Sequence, residues 1–211
     1  MELFNLPNSL TLLRILLIPV FTYFFLHQQY RAALIVFAIS GFTDLIDGAL
    51  ARLLHQKTAT GAILDPSADK LLMLVTFIVL AISGLVPVWL SALVIFRDVW
   101  IISGVLVLKR LRTKLYFKPT RLSKLNTFCQ LTTIFLAFLL TFLRSENPGL
   151  YLSFQNILSS SLKVFVIVTA VMTVVTGIQY TRIGIMIFRG KREYADLPYK
   201  KWKKPSSPGL P

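Results

Sequence analysis

The 211-residue chain is 55% hydrophobic and has a formal net charge of +14, from 23 Lys and Arg against 9 Asp and Glu. With a mean hydropathy of +0.68, it is too apolar for an ordinary soluble domain and reads as an all-α integral membrane protein. Basic balance alone would suit nucleic acid, but so apolar a chain argues against that partner and leaves the anionic headgroups of a lipid bilayer to meet the charge. The single cysteine, Cys129, excludes an internal disulfide and reads as filler in an apolar helix.

Residues 1–9 lack the basic region and small-residue cleavage site of a signal peptide and are expected to stay in the mature chain. Asn8 or Ser9 can cap a first helix starting near Leu10. Six segments reach bilayer length, near 10–27, 32–54, 68–86, 88–109, 123–143 and 162–188, predicting six transmembrane helices in one bundle over residues 1–190. No repeat and no strand pattern interrupts them. The links are short apart from a basic one after the fourth helix and a polar one, RSENPGLYLSFQNILSSSLK, after the fifth. Residues 191–211 form a basic tail, expected to be disordered, in which KKWKK either anchors on anionic lipid or only solubilises.

Charge predicts orientation. Seven Lys and Arg lie between Lys109 and Lys124 and eight from Arg182 onward, whereas the alternate links hold Arg31 in one, none in the second, and Arg144 and Lys163 in the third. The positive-inside rule puts the basic link, both termini and the turn after the second helix on the cytoplasmic side.

That turn lies within the most informative stretch, DLIDGALARLLHQKTATGAILDPSADK, residues 44–70. Asp44 and Asp47 are three apart on one helical face; Asp65 and Asp69 are four apart on another. If the two helices pack side by side, four carboxylates converge at membrane depth, where they repel one another unless a counter-charge is present. All-oxygen ligands suit hard cations, so Mg²⁺ or Mn²⁺ is the natural partner. Helix capping by the same aspartates, or a cation site in a transporter or channel, are the competing readings. Gly48 and Gly61 either let backbone approach a ligand closely or pack helices. Arg52 can take a phosphate bidentately at a helix end. His55 and Lys70 flank the site without an assigned role.

Three other sites draw notice. Arg14, inside an apolar helix, either snorkels to the interface or serves substrate phosphates. Arg97 and Asp98 adjoin in VIFRDVW, a pair that either neutralises itself or serves an acceptor. Arg121, Lys124 and Asn126 lie in KPTRLSKLNTFCQ, where the cations either bind an acceptor phosphate or sense the membrane surface.

The spacing D-x2-D-G-x2-A-R-x8-G-x3-D-x3-D, from Asp44 to Asp69, resembles the signature of the CDP-alcohol phosphotransferase family at every fixed position. The resemblance implies transfer of a substituted phosphate from a CDP-linked lipid to an alcohol, with CMP leaving. It implies two divalent cations, Mg²⁺ or Mn²⁺, held by Asp44, Asp47, Asp65 and Asp69, with Asp69 also the general base. It further implies CDP contacts from Asp44, Gly48, Arg52 and Gly61, and a homodimer. The amino-terminal PNSLTLLR is similar to the branch that makes phosphatidylglycerol and cardiolipin, implying CDP-diacylglycerol as donor. In that branch S-K-L-N-T-x2-Q, with neutral Asn126, resembles enzymes that use phosphatidylglycerol, whereas a second lysine there marks those using glycerol 3-phosphate. The Arg97–Asp98 pair, with Ser103 and Gly104 where the rival branch has another arginine, points the same way.

Overall fold

The computed structural model describes residues 6–53, 61–110 and 120–188, with side-chain surroundings for residues 11–43, 68–108, 110 and 120–188. These residues form six helices and no strand: α1 Leu6–Leu26, α2 Tyr30–Leu53, α3 Gly61–Ile82, α4 Val88–Arg110, α5 Arg121–Glu146 and α6 Pro148–Phe188. Within the described residues α4, α5 and α6 are each long and apolar enough to cross a membrane, and Thr11–Leu26 and Tyr30–Thr43 are shorter apolar helices.

Two tight turns join α1 to α2 and α3 to α4. At the end of α3, Leu85 N–H donates to Leu80 O at 3.0 Å and Gly84 N–H to Ala81 O at 3.1 Å. This pairing of the last carbonyls needs a left-handed residue between them, and Gly84 supplies φ +70°. The same pattern ends α1, where Gln29 N–H reaches Phe24 O at 2.9 Å and Gln28 N–H reaches Phe25 O at 3.0 Å. Here the left-handed position is Gln28, at φ 59°, a conformation a side chain adopts at a cost.

The expected link after the fifth helix is instead helical. Asn147 closes α5 with its N–H on Leu143 O, and α6 starts directly at Pro148 and runs for 41 residues. Proline at the first helical position loses nothing, because that N–H has no intrahelical partner. Beyond Gly149 no glycine or proline follows until Gly177, so polar composition alone does not interrupt the helix. The third helix likewise begins at Gly61 rather than near residue 68, which puts Asp65 and Asp69 one turn apart on one helix.

The apolar core lies toward the α1–α2 turn. Phe21, Phe25, Phe77, Leu80, Leu90, Ile134, Ala137 and Phe138 are buried there. Phe37 meets Phe138 edge-on at 4.9 Å, and Phe21, Phe25 and Phe138 have centroids 5.5 to 5.9 Å apart. Such tilted rings add about 1 kcal/mol per pair beyond burial. α1 packs against both α2 and α3, and α6 packs against both α4 and α5. The first arrangement brings the acid-bearing helices around a common neighbour.

Candidate active site

α2 carries Asp44, Asp47, Gly48 and Arg52; α3 opens at Gly61 and carries Asp65 and Asp69. The side chains of Asp44, Asp47, Asp65 and Arg52, and the turn at residues 54–60, lie outside the described residues. Asp69 is described. Its Oδ1 accepts from Arg14 Nη1 at 2.7 Å across 55 residues of sequence. The Arg14 side chain is 0% exposed and that of Asp69 45%. Arg14 therefore does not snorkel: α1 turns it inward onto α3. Thr11, three residues earlier on the same face, is also fully buried.

The oxygen-donor set suits a hard divalent cation. Among the described residues no three potential ligands cluster, and three of the four aspartates fall outside that set. Asp69 on α3 keeps 45% of its side chain exposed while paired with Arg14.

Arg97 and Asp98 on α4 close on each other, Nη1 to Oδ1 at 2.6 Å, with side chains 9% and 20% exposed. The pair does neutralise itself, and it is also tied into its surroundings. Arg97 Nη2 donates to Ser123 Oγ on α5 at 3.5 Å, and its Cζ lies 5.7 Å from the Tyr180 ring on α6. Tyr180 also lines an apolar groove of about 360 Å³ between α4 and α6, together with Trp100, Gly104 and Gly184. Across the α4–α6 seam, Trp100 Nε1–H donates to Thr181 Oγ1 at 2.9 Å.

The start of α5 is capped by Thr120, whose Oγ1 accepts from Ser123 N–H at 3.2 Å. Arg121 and Lys124 point to the exposed side, whereas Asn126 is buried. Thr173 Oγ1 donates to Asn126 Oδ1 at 3.1 Å. Farther along, Thr133 and Thr169 share a hydrogen bond at 2.9 Å. Asn126 Nδ2 and Gln130 Nε2 are buried without a partner among the described residues. Polar groups of this kind join membrane helices where apolar contact gives no selectivity. Sequence reasoning reached Asn126 but not this ladder. Its signal was the spacing of Asn126, Gln130 and Thr133 against Thr169, Thr173 and Thr176 on two apolar helices. The Arg14–Asp69 pairing had no local signal, since it depends on how α1 meets α3.

Residues 4–188 match the family model for CDP-alcohol phosphatidyltransferase. The chain is 41% identical over 147 residues to the rat cardiolipin synthase (CMP-forming), covering 62% of this chain and 48% of that protein. It is 39% identical over 147 residues to the human cardiolipin synthase (CMP-forming), with the same shares. A Pseudomonas fluorescens CDP-diacylglycerol–glycerol-3-phosphate 3-phosphatidyltransferase is 45% identical over 101 residues, covering 45% of this chain and 51% of that protein. The matched region spans about half the length of these relatives. With the family model covering α1 through α6, the chain belongs to the CDP-alcohol phosphatidyltransferase family.

Proposed function

We propose that this protein transfers the phosphatidyl group of CDP-diacylglycerol to phosphatidylglycerol, releasing CMP and forming cardiolipin. The observation that carries the choice of acceptor is Asn126. It is fully buried and accepts a hydrogen bond from Thr173, so the position is built for a neutral side chain. A dianionic phosphate monoester such as glycerol 3-phosphate calls for several fixed cations around it. A monoanionic diester needs fewer, together with access for its acyl chains. The groove between α4 and α6, apolar and edged by Tyr180 beneath Arg97, suits the second acceptor. The similarity to cardiolipin synthases supports it further. The Pseudomonas fluorescens relative supports the alternative acceptor, glycerol 3-phosphate, through a shorter match.

In this reading Asp44, Asp47, Asp65 and Asp69 hold two divalent cations, Mg²⁺ or Mn²⁺. When bound, these neutralise the pyrophosphate and the charge on the departing CMP oxygen. Gly48 and Gly61 allow the nucleotide close to the backbone, and Arg52 takes a phosphate oxygen. Asp69 accepts the proton of the acceptor hydroxyl as its oxygen attacks the phosphatidyl phosphorus. The phosphorus–oxygen bond to CMP breaks, and CMP leaves with that electron pair. Positioning and charge neutralisation supply most of the acceleration in such transfers. Arg97, Asp98, Arg121 and Lys124 orient the acceptor, and the fully buried Asn126 acts through the residues packed on it.

We further infer six spanning helices over residues 1–190, a basic tail over 191–211, cytoplasmic termini and active site, and a homodimer. The composition and the apolar helices support the membrane part of this reading.

The test is product analysis. Purified protein supplied with CDP-diacylglycerol and Mg²⁺ or Mn²⁺ is offered phosphatidylglycerol and glycerol 3-phosphate separately. Cardiolipin and CMP from the first arm are the expected result. Phosphatidylglycerophosphate from the second arm alone would overturn the acceptor assignment. Cation flux without CMP release would favour a transporter.

A further inference from the structure

We propose that Arg14 is a positioning residue for Asp69: its guanidinium, on the helix that packs against both acid-bearing helices, holds that carboxylate and offsets part of the site's negative charge. The proposal rests on the reading of Asp69 as base and cation ligand.

The exposures decide the role. Arg14 is 0% exposed while Asp69 is 45% exposed, so of the two partners only the carboxylate reaches the surface. A substrate phosphate would have to displace packed helix to reach the guanidinium. Arg14 therefore acts through Asp69 and does not itself grip phosphate. The contact at 2.7 Å is a charge-assisted hydrogen bond, short enough to restrain the carboxylate. The place of Arg14 in the fold adds to this. α1 packs on α2 and on α3, so a fixed cation there serves an acidic site spread over both helices. Burying a guanidinium at membrane depth is costly and calls for an acidic partner, and Asp69 is one.

The two effects have opposite signs, which makes them separable. Losing the cation leaves the acidic site one unit more negative, so a divalent ion binds more tightly. Losing the restraint lets Asp69 leave the geometry needed for proton abstraction, so turnover falls. A residue needed only for folding would lower both together.

The experiment uses the full chain purified in detergent, with Mn²⁺ affinity followed by the paramagnetic signal of free Mn²⁺ and turnover followed by CMP release. Arg14→Met is expected to bind Mn²⁺ on the order of tenfold more tightly, from one removed charge. Its kcat should fall on the order of 10²-fold, the penalty of a misplaced catalytic group, with KM for the CDP-lipid little changed. Arg14→Lys keeps the charge, so its Mn²⁺ affinity should stay within about twofold of wild type, with turnover between the two. Unchanged or weaker Mn²⁺ binding in a folded Arg14→Met overturns the proposal. Should Arg14→Met fail to fold, Arg14→Lys decides: wild-type turnover overturns the proposal, and reduced turnover at unaltered Mn²⁺ affinity supports it. A wild-type chain that binds no Mn²⁺ would overturn the reading of the carboxylates as a cation site, and the proposal with it.

Discussion

At the scale of single residues, Asp69 and Asn126 carry the most consequence. Asp69→Asn preserves size and one coordinating oxygen but cannot accept the acceptor's proton. Donor binding should persist while turnover drops by at least about 10²-fold, the lower range for a lost general base. Equilibrium binding of CDP-diacylglycerol beside single-turnover CMP release checks this, and donor binding lost as fully as in Asp44→Ala would remove the base assignment. Asn126→Lys tests the acceptor. The new ammonium would lie in a fully buried position and forfeit the hydrogen bond from Thr173. An unpaired charge buried there, within two turns of the start of α5, has to be offset by a group of opposite sign. A dianionic acceptor does so better than a diester, so the ratio of phosphatidylglycerophosphate to cardiolipin formed should rise. An unchanged ratio in a folded variant would mean that Asn126 does not bear on the choice of acceptor.

At the scale of elements, the sequence resolved what periodicity and breakers encode and missed what packing decides. The Asp44–Asp69 spacing was legible because helix geometry ties positions three and four apart to one face. The GLVP turn was legible because Gly84 alone there adopts φ +70° without strain. The polar run after residue 144 misled, because serine and asparagine weaken a helix without ending it once Pro148 has started one. Arg14 could not be assigned, since burial of its guanidinium depends on the contact between α1 and α3. Gln28 escaped for a related reason: its left-handed backbone follows from the tight α1–α2 turn, not from any residue preference. That last feature yields a stability test. Glycine at this position relieves the clash of Cβ with backbone, worth about 1–2 kcal/mol for a left-handed residue. Its extra freedom in the unfolded chain takes back up to about 1 kcal/mol. Gln28→Gly should therefore raise the thermal unfolding midpoint in detergent slightly, whereas Gly84→Ala should lower it. A fall in both would mean that the Gln28 side chain contributes contacts that outweigh its backbone strain.

At the scale of the whole molecule, the long sixth helix constrains how the bundle can sit in a bilayer. Its 41 residues extend about 60 Å at 1.5 Å per residue, roughly twice a hydrocarbon core of about 30 Å. One end must therefore leave the apolar layer. The positive-inside rule gives an expectation for which end. Arg182 and the bases beyond it favour the cytoplasmic face for the carboxyl end, leaving the first turns after Pro148 to project on the other side beside Arg144 and Glu146. Ser153 and Asn156 are exposed in this portion beside exposed Leu152, Phe154 and Ile157, a mixed surface suited to the headgroup layer. Single cysteines at Ser145, Ser153 and Asn156, in a Cys129→Ser background, should react with a membrane-impermeant maleimide added from outside sealed cells. A cysteine at Ser206 should react only after permeabilisation. Labelling of Ser145 and Ser206 from one face would contradict a crossing by α6 between them, and with it the reading of six spans. Protection of Ser153 and Asn156 with Ser145 labelled would mean that α6 enters the bilayer at its first turn and emerges into the cytoplasm far below the headgroups. Neither outcome moves the proposed cytoplasmic placement of the Asp69 end of α3, which rests on the charge of the links, so the test bears on α6 alone.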